Sequence, residues 1–129
     1  MPAIANQSVN DGQATPVAHT FAVVTTDGKT AKFADKSPGI PAGYIRISDE
    51  AREPAGSSGA YRRILSFSLP TTAVVDGVTK VVRTSSAQLV WNFAQDSTDQ
   101  ERKDLVAYSL NFPGLATEKA SIWGLEPWF

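Results

Sequence analysis

The sequence predicts an α+β fold: an N-terminal β-hairpin and an antiparallel sheet of about five strands, followed by two C-terminal helices. Three observations predict it. Apolar and polar residues alternate with period two through residues 44–93, as in Ile45/Ile47, Leu65/Phe67/Leu69 and Leu89/Trp91/Phe93, the pattern of strands with one covered face and one wet face. Turn formers (Asn10-Asp11-Gly12, Asp27-Gly28, Pro54 to Gly59) punctuate the chain between these runs. After residue 97 the period changes to that of a helix, behind two overlapping capping signatures, Ser97 with Gln100 and Thr98 with Glu101.

In chain order, residues 4–9 form a weak strand candidate that turns at Asn10-Asp11-Gly12 as one arm of a hairpin. Residues 19–25 (H-T-F-A-V-V-T) are rich in β-branched and aromatic side chains and read as a strand; Asp27-Gly28 turns the chain into a second one over 29–34. Residues 35–43 hold Pro38, Gly39, Pro41 and Gly43 and read as a surface loop. The main sheet follows in residues 44–93. Ile45 and Ile47 face one way while Arg46 and Ser48 face the other. In 61–69, Leu65, Phe67 and Leu69 share the apolar side, and Arg62, Ser66 and Ser68 oppose them with Ile64 as an exception. Arg63 has core parity, which its place at the start of the strand explains if its head reaches water.

Residues 70–80 (P-T-T-A-V-V-D-G-V-T-K) read as a loop, longer than a tight hairpin needs, of the kind that often sits at contacts. A plain hairpin tip at Asp76-Gly77 with strands extended on both sides is the alternative. The long strand 81–93 carries Thr84, Ser86, Gln88 and Asn92 on its polar side. In the helical part, 97–124, Leu105, Val106, Tyr108, Leu110 and Phe112 make a broad apolar stripe, Pro113-Gly114 stops the first helix, and a second over 116–123 is closed by Gly124. The tail 125–129, with Pro127, Trp128 and Phe129, is too apolar to stay loose in water and is expected to dock on its own chain or a neighbour.

At 129 residues the chain fits a single domain over 1–129. It has no cysteine, so disulfides and thiolate metal sites are excluded. No apolar run is long enough to span a membrane, and the N-terminus lacks the regions of a signal peptide, so a soluble chain without membrane attachment is expected. The net charge is −1, yet it is uneven. Arg46, Arg52, Arg62, Arg63, Lys80 and Arg83 outnumber the acids between 44 and 83, whereas acids dominate from Thr84 onward. This is either a basic sheet with an acidic helical end or ordinary surface scatter.

Catalysis finds no support. His19, the lone histidine, lies on a strand without a local partner signature and reads as a satisfied structural or surface residue. The carboxylate pairs Asp49/Glu50 and Asp96/Asp99 lie in a turn and at a helix start, where solvation and capping explain them. No cofactor or metal set appears. The wet face, with Arg46, Ser48, Arg62, Ser66, Ser86, Gln88 and Asn92, suits nucleic acid, since arginine pairs with phosphate while amides and hydroxyls reach sugars and base edges. A merely solvated sheet face has the same pattern.

The order of these elements, with the strand Y-R-R-I-L-S-F-S-L-P, the strand ending A-Q-L-V-W-N-F and the capped helix S-T-D-Q-E-R-K-D-L-V, resembles the coat proteins of single-stranded RNA bacteriophages, the levivirus type. The resemblance covers essentially the whole chain and is strongest over 61–110. It implies an intertwined homodimer whose sheets join edge to edge, with Leu65, Phe67, Leu89, Trp91, Phe93, Leu105 and Tyr108 in the dimer core. It implies self-assembly into an icosahedral T=3 capsid around genomic single-stranded RNA in the host bacterial cytoplasm. An RNA hairpin would bind the inner sheet face, repressing replicase translation, through Arg46, Ser48, Arg62, Ile64, Ser66, Gln88, Val90 and Asn92. Ile64 and Val90 depart from polar expectation there, although an apolar side chain can stack on a base. Thr71, Thr72, Ala73, Val74, Val75, Asp76, Gly77, Val78 and Thr79 would form the inter-dimer loop, noncovalent in the absence of cysteine. The alternative is a non-assembling dimeric RNA- or ligand-binding module that uses the same face.

Overall fold

Every strand pairs antiparallel with its neighbour in the chain, because each connection is short and each run carries the alternation a half-covered strand requires. The computed structural model describes residues 3–56 and 59–127. Six strands lie in one sheet in sequence order: β1 (Gln7–Asn10), β2 (Ala18–Thr26), β3 (Thr30–Asp35), β4 (Ile45–Arg52), β5 (Ala60–Val75) and β6 (Val78–Ala94). Two helices follow, α1 (Asp99–Asn111) and α2 (Ala116–Gly124). The sheet thus has one strand more than the five that alternation suggests, since the weak N-terminal candidate does pair, Gln7 opposite Phe21 and Asn10 opposite Ala18.

Residues 70–80 are not a loop. β5 and β6 continue through them and meet in a two-residue turn at Asp76 and Gly77, whose φ angles are 51° and 77°. Positive φ at both central residues is what a type I′ turn demands, and Asp-Gly tolerates it, while the flanking threonines and valines prefer extended backbone. Thr71 to Val75 therefore belong to β5, and Val78 and Thr79 to β6.

A bulge then corrects the register. From the turn outward, Val75 pairs with Val78 and Thr72 with Val81, so that odd residues of one strand oppose even residues of the other. Beyond the bulge Thr71 pairs with Arg83, Leu65 with Leu89 and Arg62 with Asn92. Val82 is the extra residue, and because side chains alternate with period two it turns all of β6 beyond it over relative to β5. Were Val82 paired in the regular ladder instead, Arg62 would lie opposite Trp91.

The segment between β3 and β4 is also more ordered than its prolines suggest. Pro41–Gly43 forms a 3₁₀ turn, and Gly43 is buried where a Cβ would stand 2.8 Å from Thr72 Cγ2 and 3.2 Å from Ile40 Cγ1. This loop is seated against the root of the distal β5–β6 hairpin. At the far edge of the sheet, His19 on β2 lies between two carboxylates, Nδ1 2.9 Å from Asp35 Oδ2 and Nε2 3.0 Å from Asp11 Oδ2. It is the satisfied histidine its sequence setting suggests.

Of the two overlapping capping signatures, the second forms. Thr98 Oγ1 accepts the Glu101 N–H and Glu101 Oε2 accepts the Thr98 N–H. Ser97 is otherwise engaged, donating to the Ala94 carbonyl and accepting from Arg102. α2 does not end on a left-handed glycine. Gly124 stays helical and Leu125, at φ 59°, takes the left-handed cap, its N–H donating to Ile122 and Ser121 carbonyls. Neither helix lies along a strand of its own sheet, and no residue of either is buried. Of the apolar tail, Leu125 is 89% exposed, while Trp128 and Phe129 fall outside the described residues.

One substitution and one deletion test these elements. Gly43→Ala is expected to lower stability by about 1–3 kcal/mol, since Thr72 is stiff at χ1 and cannot swing clear; Thr72→Ser in the same chain should recover part of that loss in a denaturant double-mutant cycle. Deleting Val82 is expected to remove the bulge and keep the near-ultraviolet tryptophan signal, because Thr72 still faces Val81, Thr71 still faces Arg83 and Arg62 stays opposite Asn92. A deletion variant that loses the tryptophan signal would show that Val82 is not the extra residue.

Candidate nucleic-acid interface

Residues directly opposite in adjacent strands point to the same side of a sheet. The register therefore lays four rows across β4, β5 and β6 on the polar face: Arg46–Ser68–Ser86, Ser48–Ser66–Gln88, Glu50–Ile64–Val90 and Arg52–Arg62–Asn92. Every position that the sequence assigned to RNA contact lies on this one face.

The first two rows line an open depression of about 570 Å³, with Arg46, Ser48, Ser66, Ser68, Ser86 and Gln88 among its residues. Arg46 is pre-set at its rim. Its guanidinium lies 5.5 Å from the centre of the Tyr44 ring and donates from Nη2 to the Pro41 carbonyl at 3.1 Å, so the 3₁₀ turn that anchors on Thr72 also orients this arginine. Gln88 Nε2 donates to Ser66 Oγ at 3.3 Å, a weak bond that leaves the amide oxygen open.

The other rows differ in character. Arg52 Nε donates to Glu50 Oε1 at 2.6 Å, which internally neutralises that pair. Arg62 is exposed and, among the described residues, has no side-chain partner, so its full charge is offered to the solvent beside exposed Asn92. Ile64 is only 7% exposed, so the expected stacking of an Ile64 side chain on a base does not fit this structure. Flanked by Glu50 and Val90, it forms the floor of the face, and Val90, 38% exposed, is the apolar side chain within reach of a ligand.

The opposite face carries Leu65, Phe67, Leu89, Trp91 and Phe93, all half-buried. Arg63 shares it. Its Nη2 donates to both carboxylate oxygens of Asp49 at 2.6 and 2.7 Å, a diagonal cross-strand pair, so a specific acid as well as water receives its head. α1 touches this face through one defined bond, Trp91 Nε1–H to Ser109 Oγ at 2.7 Å. Otherwise the helices hold their apolar side chains in solvent: Tyr108 is 70% exposed, Phe112 54% and Trp123 74%, with Leu105, Leu110, Leu115 and Ile122 also exposed. Among the described residues the buried apolar set is Phe21, Ala34 and Ile64. β6 forms one edge of the sheet along its whole length.

Catalytic chemistry has no geometric footing. Both His19 nitrogens face carboxylates, and no cluster of metal-ligating side chains occurs among the described residues. Two features escape sequence reading. The His19 cluster joins residues 8 and 16 positions apart, and the Val82 bulge leaves no compositional mark.

Comparison with known proteins bears on this arrangement. No curated protein sequence matches the chain. Among solved structures, the chain superposes on the coat protein of the virus-like particle of Beihai levi-like virus 21 with a TM-score of 0.89 and 28% identity, covering 99% of each chain. The virus-like particle of bacteriophage ESE058 gives a TM-score of 0.87 and 26% identity over 99% of this chain and 100% of that one. The bacteriophage GA capsid protein, at 15% identity and a TM-score of 0.71, shares the fold over 96% of both chains. The model of the levivirus coat protein family matches residues 2–122. With six antiparallel strands, two trailing helices and this match over nearly its whole length, the chain belongs to the levivirus coat protein family and is a structural capsid protein, not an enzyme.

Proposed function

We propose that this coat protein is a single domain that builds its core by dimerising and assembles an icosahedral shell around single-stranded RNA, binding an RNA hairpin on the polar sheet face as packaging signal and replicase repressor. One observation carries the dimer: the helices keep Tyr108, Phe112 and Trp123 in water while a half-covered apolar sheet face lies beside them. Exposed apolar surface on this scale marks an interface, and a chain whose own core is this small gains its stability from a partner. Two copies joined along β6, each laying α1 and α2 over the other's Leu65, Phe67, Leu89, Trp91 and Phe93, would cover both surfaces and the open strand edge together.

The same join would place two polar faces side by side, doubling Arg46, Ser48, Arg62, Ser66, Gln88, Val90 and Asn92 into one surface. Arg62 and Arg46 suit phosphates, the serines and amides suit sugars and base edges, and Val90 suits the flat of a base. Ile64 would support this surface from beneath. The distal hairpin, with Val74 71% and Val78 55% exposed, suits a noncovalent contact between dimers, and the shell would form in the cytoplasm of the host bacterium.

Expressed protein examined by electron microscopy, with absorbance at 260 and 280 nm measured on the particles, should show closed shells containing nucleic acid. Material that remains at dimer size with RNA supplied would reject assembly and favour an RNA-binding module. Arg62→Ala and Arg46→Ala should each weaken RNA binding and lower the slope of log affinity against log salt by about 0.7–0.9, with the unfolding midpoint unchanged. Unaltered affinity in both would remove this face as the RNA site. Trp91→Ala should cost about 3–5 kcal/mol of dimer stability by denaturant unfolding; a fully assembling variant would mean that the helices do not cover this face.

A further inference from the structure

His19 sits where neither the capsid role nor the polar face calls on it, at the end of the sheet away from β6. Its ring is held on both sides. Nδ1 meets Asp35 Oδ2 at 2.9 Å and Nε2 meets Asp11 Oδ2 at 3.0 Å. An ionised carboxylate only accepts hydrogen bonds, and a neutral imidazole has a single N–H. The imidazolium alone satisfies both partners.

The two carboxylates belong to different parts of the fold. Asp35 ends β3, is 4% exposed, and accepts the Ser37 N–H with its other oxygen at 3.0 Å. Asp11 organises the connection between β1 and β2. Its Oδ1 accepts the N–H groups of Val17 at 3.0 Å and Gln13 at 3.2 Å, and its own N–H donates to the Val17 carbonyl at 2.9 Å. The connection is thus a closed unit built on Asp11, and His19 joins it to the end of β3.

We propose that His19 is a pH-operated latch, doubly protonated when closed, that fastens the 11–17 connection to the end of β3 and releases Asp11 when the ring loses a proton. Asp11 is the side that lets go because Asp35 is enclosed, whereas Asp11 Oδ2 is more open and keeps a second donor, Gln13 Nε2 at 2.8 Å, so the neutral ring keeps its proton on Nδ1. Nε2 then turns a lone pair toward Asp11, and a hydrogen bond becomes a repulsion.

The direction follows from the groups that face the ring. Asp11 first and Asp35 second raise the His19 pKa above its ordinary 6.5, against the opposing effect of burial. β1 contributes no charge, as Val9 lies opposite His19, and Lys32 of β3 lies on the other face. The Val17 N–H, then His19, hold Asp11 down to about 2. Burial pushes Asp35 up, but the Ser37 and His19 hydrogen bonds outweigh it and its pKa is lowered. A group whose folded pKa is raised stabilises fully below its unfolded value and loses that contribution as pH rises through the folded one. The carboxylates stabilise above their ordinary range and fail only in strong acid. The latch is closed below pH 6.5, above the acidic range in which the carboxylates protonate, and opens as pH rises through the raised His19 value.

Because His19 is the chain's lone histidine, deuterium exchange at its ring C2 position, followed by mass spectrometry on the full-length protein in its native assembly state, reports its titration without interference. The midpoint should lie above 6.5 and fall toward 6.5 in Asp11→Asn. Backbone deuterium uptake across the 11–17 connection, corrected for intrinsic exchange, should increase as pH rises through that midpoint, by up to about tenfold for each unit by which the ring is raised. In His19→Gln it should be pH-independent. A wild-type midpoint at or below 6.5, an Asp11→Asn midpoint that does not move, or wild-type uptake that parallels His19→Gln would each overturn the latch.

Discussion

The pairing of β5 with β6 is the constraint on which the rest of this molecule depends. A two-residue turn with both φ angles positive closes the hairpin, and such a turn sets the register of everything that follows it. By itself that register would mix the two faces, placing arginine opposite tryptophan. One bulged residue, Val82, restores parity, so that Leu65 meets Leu89 and Arg62 meets Asn92. A polar surface and an apolar one thus arise on a single sheet because a turn and a bulge act together. Pairing Val82 in the regular ladder would bring Arg62 opposite Trp91 and mix the surfaces.

The apolar surface explains why a chain of this length is organised as it is. A domain of this size can enclose a core by folding its helices back onto its own sheet. Here α1 and α2 leave the sheet after the single Trp91–Ser109 bond and hold their aromatic residues in solvent. The residues that would form the core of an independent domain are distributed over two separate surfaces of one chain. That distribution suits a structural capsid protein, whose stability is tied to association and so to its concentration.

Electrostatics divide the polar face further. Charges on it are not equivalent: Arg52 is neutralised by Glu50, Arg46 is oriented by Tyr44 and the Pro41 carbonyl, and Arg62 is unengaged among the described residues. An exposed ion pair contributes little to stability, so the Arg52–Glu50 pair chiefly removes a positive charge from the surface. Arg46 has traded conformational freedom for a set direction, and the 3₁₀ turn that directs it rests on Thr72 of the distal hairpin. The root of the distal hairpin and the polar face therefore meet at the 3₁₀ turn.

Much of this was legible from residue order. Alternation identified both faces, down to the parity of Arg62 and Trp91; the Thr98–Glu101 cap and the helical stripe marked α1; Asp27-Gly28 marked a turn that forms. These depend on neighbours in the chain, and local backbone preference and side-chain period are properties a sequence carries by itself. The misreadings had a different origin. Residues 70–80 looked like a loop because nothing local distinguishes an extended ribbon of threonine and valine from an irregular one, and Ile64 looked available because parity says nothing about depth. Which capping signature formed depended on Ser97 being taken by Arg102. The His19 cluster, the Val82 bulge and the seat of Gly43 on Thr72 join residues distant in sequence or arise from a shift in pairing. Only the tertiary structure decides them, because each depends on which backbone lies opposite which, a relation between segments that no single segment encodes.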